Sequence, residues 1–346
     1  MPADTLVEIK GLRTYFHLAE GVVRAVDGVD LEIKRNRTLG IVGESGCGKS
    51  MMSYSLLRLV PPPGRIEAGE ILYHRTMTDS NSSNMADVVN ITRLDPDSQE
   101  MRHIRGNQIG MVFQEPMTAM SPVLTIGKQI TEVMTLHRGI TQAKARQQTI
   151  EMLARVKMSR PDRIIDNYPF ELSGGMRQRA VIAMALCCRP HLLIADEPTT
   201  ALDVTTEAQI LQLMRDLQAE FGMAILYITH SLGVIAEMAE EVAVMYLGKV
   251  VEQTDIQSIF FRPLHPYTRG LLKSIPQLSD AVTKHDEKRR LQTISGMVPD
   301  PYARLKGCPF HPRCPEFING VCDVVEPKVI EAQPGHIVRC HLYGRP

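Results

Sequence analysis

Residues 43–50, Gly-Glu-Ser-Gly-Cys-Gly-Lys-Ser, have the types and spacing needed to hold a polyphosphate. Glycines let the backbone curve around phosphates, and the free N–H groups at a helix start attract anions. A strand-like run at 38–42 precedes the segment and a helix-compatible run at 51–60 follows it. The alternative is a glycine-rich turn without a ligand. We predict a nucleotide site whose phosphate-binding residues are Gly43, Glu44, Ser45, Gly46, Cys47, Gly48, Lys49 and Ser50.

Two carboxylates, Asp196 and Glu197, follow the apolar run 192–195. The carboxyl ends of strands in an open parallel sheet face the ligand crevice. There Asp196 would hold Mg²⁺ through water, beside the hydroxyl of Ser50, and Glu197 would polarise the attacking water. The alternative is a buried strand that simply ends at a solvated edge. With the phosphate-binding segment present, the pair indicates ATP and Mg²⁺ as ligands.

Residues 172–179, Leu-Ser-Gly-Gly-Met-Arg-Gln-Arg, predict a second helix start whose backbone N–H groups are exposed. Ser173 lies where an N-cap residue belongs, and Gly174 and Gly175 expose the first-turn N–H groups. A chain with one phosphate-binding segment has no evident need for another. We therefore predict a dimer in which this helix start covers the nucleotide of a partner chain. An ordinary capped helix is the alternative.

In order and context these motifs resemble the ABC ATPase family over roughly residues 5–255. The resemblance implies that Gln114 contacts Mg²⁺ and the attacking water, and that His230 senses the γ-phosphate. It also implies that Asp203, in Ala-Leu-Asp at 201–203, belongs to a loop that crosses to the partner subunit. Met176 departs from the glutamine that many members carry there, but both signature glycines are intact. Members stack adenine on an aromatic residue in the first sheet segment, which favours Phe16 over its neighbour Tyr15.

The fold expected from this resemblance is α/β, with a P-loop NTPase core, an antiparallel β subdomain and a helical subdomain. Residues 5–35 alternate in polarity as antiparallel strands do. Helical spacing recurs at 126–137 and 142–156, and Pro161 begins another short helix. The polar stretch 76–100 is expected to form a loop or an irregular hairpin. We predict an ATPase domain over 1–255, with a helical subdomain at about 116–172, and a small cysteine-containing extension over 256–346.

Composition limits the partners and the location of the chain. Thirty-nine basic residues balance thirty-nine acidic ones, so no basic field favours nucleic acid. No apolar stretch approaches the roughly 20 residues that span a bilayer. The N-terminal sequence lacks the pattern of a secretory signal. We therefore expect a peripheral protein on the cytoplasmic face of the inner membrane.

Four of the seven cysteines lie in the last forty residues: Cys308, Cys314, Cys322 and Cys340. Disulfides are improbable in a reducing cytoplasm. Four thiolates suit zinc or an iron–sulfur cluster, and intervals of five, seven and seventeen residues favour a cluster over paired zinc ligands. Unmetallated thiols remain an alternative. The nearby residues His311, His336 and His341 are expected to be solvent-exposed loop histidines.

This tail, with His-Pro-Tyr-Thr at 265–268 ahead of it, resembles the extension of the oligopeptide/dipeptide subfamily of ABC importers. That resemblance implies a [4Fe-4S] cluster on the four cysteines, with Zn²⁺ as the alternative. It also implies a homologous second ATPase subunit in a heterodimer, two transmembrane permeases and an extracytoplasmic binding protein. We expect ATP binding to the isolated chain to survive Cys314→Ser, because no phosphate-binding residue lies in this region. Rival interpretations are a non-transport ABC ATPase, such as an accessory subunit of a carbon–phosphorus lyase complex, and an iron–sulfur redox protein.

Overall fold

The structure of the protein is a computed structural model, which describes residues 4–75, 88–114, 119–200, 202–274, 294–303 and 305–344. Its strands are β1 (Thr5–Leu18), β2 (Gly21–Lys34), β3 (Thr38–Val42), β4 (Gly64–His74), β5 (Val88–Asn90), β6 (Ile109–Val112), β7 (Leu192–Asp196), β8 (Ala224–Thr229), β9 (Glu241–Tyr246), β10 (Lys249–Asp255), β11 (Ile330–Gln333) and β12 (His336–Val338).

Ten α-helices accompany these strands in the described residues. They are α1 (Lys49–Leu56), α2 (Gln99–His103), α3 (Ile126–Arg138), α4 (Gln142–Arg155), α5 (Pro161–Ile164), α6 (Gly174–Leu186), α7 (Val204–Phe221), α8 (Leu232–Met238), α9 (Ile256–Phe261) and α10 (Pro266–Lys273). A π-type turn lies at Ile104–Gln108, and short 3₁₀ helices lie at Ile91–Arg93, Pro169–Glu171 and His311–Arg313.

The N-terminal strands form an antiparallel sheet of order β2-β1-β4-β5. Alternating apolar side chains of β1 and β2 are buried against helix α1 and the central sheet, as their period of two predicts. The predicted antiparallel subdomain is confirmed. Within the polar stretch 76–100, residues 88–90 form β5, which pairs antiparallel with β4. The first part of the stretch, 76–87, lies outside the described residues.

A mixed sheet of order β11-β12-β10-β9-β3-β8-β7-β6 forms the centre of the molecule. Strands β9, β3, β8, β7 and β6 run parallel, which brings the carboxyl ends of β3, β7 and β8 to one edge. The parallel strands are buried on both faces, so they read as continuous apolar runs. The α/β core expected from the sequence is confirmed.

The C-terminal extension is continuous with this sheet. Strand β12 pairs antiparallel with β10, and β11 closes the edge beyond it. The extension therefore packs against the ATPase core along a sheet edge.

Helices α3, α4 and α5 lie between β6 and the signature segment, at the predicted positions. Thr125 and Thr141 cap the first two by accepting hydrogen bonds from backbone N–H groups of the first turn. One face of each is buried with α6, for example at Ile130 and Leu153. Among the described residues, no helix is long and apolar enough to cross a membrane.

Candidate functional site

The phosphate loop, which we define as residues 43–50, joins β3 to α1 in a conformation that requires glycine. Gly48 has φ +104°, and an added Cβ would lie 1.9 Å from the carbonyl oxygen of Ala25. An added Cβ at Gly43 would lie 2.3 Å from the carbonyl oxygen of Met245. The loop is thus packed against two neighbouring backbones, and its glycines are there for close approach as well as for dihedral freedom.

Lys49 begins helix α1 and bends back over the phosphate loop. Its Nζ donates to the carbonyl oxygens of Gly43 at 2.8 Å and Glu44 at 3.1 Å. The side chain is almost fully buried, so the ammonium group is fixed above the loop amides. Beside it lies a cavity of about 320 Å³ lined by Ser45, Gly46, Gly48, Lys49, Ser50, Gln114 and Glu197.

Asp196 ends β7 with a carboxylate that lacks a partner within the described chain. Both oxygens are buried and neither accepts a hydrogen bond. Burial raises the pKa of Asp196 to about 6, against the opposing influence of the nearby Ser50 hydroxyl. An unpaired buried carboxylate is costly unless a cation neutralises it. The donor set of Asp196, Ser50 and the adjacent Gln114 fits Mg²⁺, which prefers oxygen ligands.

Glu197 is the centre of a polar cluster at the same sheet edge. Its Oε2 accepts from Gln114 Nε2 at 3.2 Å and from Thr200 Oγ1 at 3.1 Å. His230, which follows β8, places Nδ1 3.2 Å from Glu197 Oε1. Glu197 is only 9% exposed and has φ +46°, a conformation rare for a non-glycine residue. The structure thus brings together Gln114, Glu197 and His230, the three residues predicted to be catalytic.

The signature helix α6 begins away from this cavity. Ser173 is its N-cap and accepts a hydrogen bond from the N–H of Met176 at 3.3 Å. Ser173 and Gly174 are exposed, and neither lines the cavity beside Lys49. Asp203 is also exposed and caps α7; Ala201, in the same predicted motif, lies outside the described residues.

Neither aromatic residue predicted for adenine lines the cavity. The Phe16 ring packs beside Gly64 and Val60, because β1 pairs Phe16 with Gly64 of β4. The Tyr15 hydroxyl donates to Asp27 Oδ1 at 2.6 Å. Burial and this acceptor raise the pKa of Tyr15 to about 12. The role of Phe16 or Tyr15 in base stacking stays a prediction.

The cavity is instead lined in part by the C-terminal extension, which sequence reasoning missed. Residues 300–303, with Leu305 and Pro309, line the same cavity as residues of the phosphate loop. The expectation that ATP binding survives a substitution in this extension, at Cys314, stays a prediction. It rested on the absence of phosphate-loop motifs there, and a contact between segments so distant in the chain leaves no local pattern.

The four extension cysteines approach one another from separate loops. The N–H of Cys308 donates to the carbonyl oxygen of Cys322 at 2.7 Å. Burial raises the pKa of Cys308 to about 12 and that of Cys340 to about 11, and the other thiols contribute to the same direction. Within the described chain, however, no group of three or more His, Cys, Asp or Glu side chains is arranged to hold a metal ion.

Two of the three tail histidines are buried, contrary to expectation. His336 Nε2 lies 2.8 Å from Oε1 of the buried Glu252, and His341 Nε2 lies 2.8 Å from the carbonyl oxygen of Val325. His311 is half-buried. Pairing of β12 with β10 carries His336 into the interior, which sequence context alone could not indicate.

Comparisons with known proteins agree with this geometry. A family model described as "ABC transporter" matches residues 26–200, and one described as "Oligopeptide/dipeptide transporter, C-terminal region" matches residues 251–322. The probable peptide ABC transporter ATP-binding protein y4tR of Sinorhizobium fredii is 46% identical over 98% of this chain and 95% of that protein. The oligopeptide transport ATP-binding protein AppD of Bacillus subtilis is 47% identical over 98% of this chain and 97% of its own length.

Among solved structures, the ATP-binding cassette MJ0796, in a dimeric post-hydrolysis state bound to ADP and Pi, superposes with a TM-score of 0.60. It is 28% identical and covers 72% of this chain and 98% of its own. By motif order, fold and near full-length similarity, the chain belongs to the ABC transporter family of ATP-binding proteins.

Proposed function

We propose that this protein is the ATP-hydrolysing subunit of a bacterial ABC importer for peptides or related small solutes. The observation that carries the proposal is the position of Glu197, between Gln114 and His230 and beside the cavity lined by Lys49. The substrate class rests on the relatives, whose names are those of peptide and oligopeptide transport ATP-binding proteins.

In phosphoryl transfer to water, different residues of the chain have different roles. Amides of the phosphate loop and Lys49 would bind the β- and γ-phosphates, while Ser50, Asp196 and Gln114 are the residues that would hold Mg²⁺. The bound ion neutralises charge on the phosphate oxygens. Glu197 orients and polarises the attacking water. His230 keeps Glu197 oriented and lies at the exposed side, where it can contact the γ-phosphate.

Exposure of the signature helix start supports a site shared between two subunits. Ser173, Gly174 and Gly175 would bind the nucleotide of a partner ATPase subunit, and Asp203 would lie at the same interface. The proposed partner is a homologous chain, giving a heterodimer. Two permeases and an extracytoplasmic binding protein would complete the importer, with this chain peripheral on the cytoplasmic face of the inner membrane. The assigned division is an ATPase domain over 1–255 and an extension over 256–346.

The four cysteines form the second part of the proposal: Cys308, Cys314, Cys322 and Cys340 hold a [4Fe-4S] cluster, with Zn²⁺ as the alternative. Support comes from the donor chemistry and from the mutual influence of the thiols on their pKa values. Because burial raises the pKa of Cys308 and of Cys340, metal binding would release protons from these two thiols and would also draw the loops together. Iron, sulfide and zinc analysis of anaerobically purified protein distinguishes the two, and absence of all three contradicts both.

The function is tested by purifying the chain with its co-expressed gene neighbours and reconstituting them in proteoliposomes. Peptide bound to the binding protein should stimulate ATP hydrolysis and enter the lumen. Glu220→Gln, which alters only a surface ion pair with Arg155, serves as a matched control for substitutions of Glu197. Hydrolysis without any response to peptides would contradict the substrate class, and absence of MgATP binding would contradict the function itself.

A further inference from the structure

The C-terminal extension contacts the phosphate loop at Glu44. Arg313 donates two parallel hydrogen bonds to its carboxylate, Nη1 to Oε2 at 2.7 Å and Nη2 to Oε1 at 3.0 Å. The backbone N–H of Glu44 also donates to the Tyr267 hydroxyl at 2.9 Å. Glu44 is thus held at both its side chain and its backbone by residues that follow the last strand of the ATPase core.

The environment of Arg313 makes this contact rigid. Its side chain is 4% exposed, its guanidinium lies 5.9 Å from the centre of the Tyr246 ring, and Nε donates to the carbonyl oxygen of Ser295. The Glu44 carboxylate raises the pKa of Arg313 further above its ordinary range. A bidentate guanidinium–carboxylate pair fixes orientation as well as distance. The phosphate loop is therefore oriented partly by the extension.

A second segment of the extension, residues 300–303, lines the same cavity as the phosphate loop. Tyr302 packs beside Gly21, where an added Cβ would lie 3.2 Å from its ring, and stays 40% exposed. Its N–H donates to Asp300 Oδ1 at 2.8 Å. Lys49 and Ser50 line the same cavity, so this segment and the phosphate loop border one space.

Arg313 ends the short helix His311–Arg313, immediately before Cys314. The N–H of His311 donates to the carbonyl oxygen of Cys308 at 3.0 Å, and that of Cys314 to the carbonyl oxygen of His311 at 3.3 Å. A change that opens the cysteine loops would therefore act on the same short helix that carries Arg313. The short helix His311–Arg313 and the ion pair between Arg313 and Glu44 thus connect the cysteine loops to the phosphate loop.

We propose that the C-terminal extension is a part of the nucleotide site, in which Arg313 is a positioning residue that holds the phosphate loop through Glu44. MgATP binding and docking of the extension then stabilise each other, since coupling between two binding events is reciprocal. This inference rests on the proposed binding of ATP at the phosphate loop, and it adds a role for the extension that the hydrolytic mechanism does not need.

The experiment measures the Kd for MgATP of the full chain by equilibrium dialysis, for wild type and for Arg313→Gln. We expect the Kd to rise at least about tenfold, within the roughly 5- to 150-fold range of coupled sites. Hydrogen exchange supplies a readout without turnover: MgATP should slow amide exchange over 294–316 in wild type, and less so in Arg313→Gln. A structural role confined to the extension would leave this nucleotide effect unchanged.

Arg269→Gln is the matched control, because Arg269 pairs with Glu316 inside the extension and makes no contact with the phosphate loop. Should Arg313→Gln fail to fold, Glu44→Gln tests the same contact from the loop side. Where both fold, the double variant should bind MgATP no more weakly than Arg313→Gln alone.

A wild-type Kd in Arg313→Gln or Glu44→Gln overturns the inference while leaving the proposed function intact. A loss in Arg269→Gln equal to that in Arg313→Gln also overturns it, since the effect would then be general loosening. Wild-type protein that does not bind MgATP contradicts the proposed function first, and the inference with it.

Discussion

Replacing Glu197 by glutamine tests the assignment of the catalytic base with little change of shape. The glutamine oxygen can still accept from Gln114 Nε2 and Thr200 Oγ1, which now lie 3.2 and 3.1 Å from Oε2. Its amide can donate to His230 Nδ1, the partner of Oε1. Since every hydrogen bond of the side chain has a substitute, the positive φ and local packing should persist.

The substitution removes the charge that polarises the attacking water. General-base catalysis contributes about 10²- to 10⁴-fold to rate, which corresponds to roughly 2.7–5.4 kcal/mol of transition-state stabilisation. We expect kcat to fall by about that factor, while the Kd for MgATP stays within about threefold. Closed, ATP-loaded dimers should accumulate, because hydrolysis is what reopens them.

The assay needs a complex in which the partner subunit's own site is disabled, so that all remaining turnover belongs to this chain. Phosphate release and MgATP binding are then measured for wild type, Glu197→Gln and the surface control Glu220→Gln. Turnover of Glu197→Gln within a few-fold of wild type would refute the role of Glu197. A matching loss of MgATP affinity would show instead that the residue acts in binding.

Three further predictions address other parts of the site. Gly48→Ala should abolish MgATP binding, measured by isothermal titration, because its Cβ would lie 1.9 Å from the Ala25 carbonyl oxygen at φ +104°. Gly139→Ala, at φ +61° with open space around it, is the control for backbone strain in the same assay. Ser173→Arg should abolish ATPase activity of the assembled complex while leaving the Kd of the isolated chain unchanged; a weaker Kd in the isolated chain would contradict a shared site. Burial raises the pKa of Asp196 to about 6, so below about that pH Mg²⁺ must displace a proton and the affinity for MgATP should fall. Asp196→Asn should lose this part of the pH dependence, and identical pH profiles of the variant and the wild type would refute the prediction.

The parts of the fold that follow from the sequence are those with local signatures. Strand β7 begins with the apolar run 192–195, as expected for a strand that is buried on both faces. The start of helix α6 is also marked locally, because the N-cap Ser173 lies three residues before Met176, from whose N–H it accepts a hydrogen bond. The meeting of Glu197 and His230 was also predictable, because parallel strands β7 and β8 bring both residues to one edge. The adenine site shows the limit: the family resemblance favours Phe16 for base stacking, β-sheet register places its ring beside Gly64, and its role stays a prediction.

The extension shows why contacts distant in sequence escape this reasoning. Nothing about Arg313 in Gly-Cys-Pro-Phe-His-Pro-Arg-Cys-Pro points to Glu44, because the two residues lie 269 positions apart in the chain. The expectation that Cys314→Ser would spare ATP binding assumed an independent tail. Arg313 is the neighbour of Cys314, and in our proposal its guanidinium group orients the phosphate loop through Glu44. A loosened cysteine region should therefore also weaken MgATP binding. A Kd for MgATP that is unchanged in Cys314→Ser, together with faster amide exchange over 305–316, would show that the loop keeps its orientation without the extension.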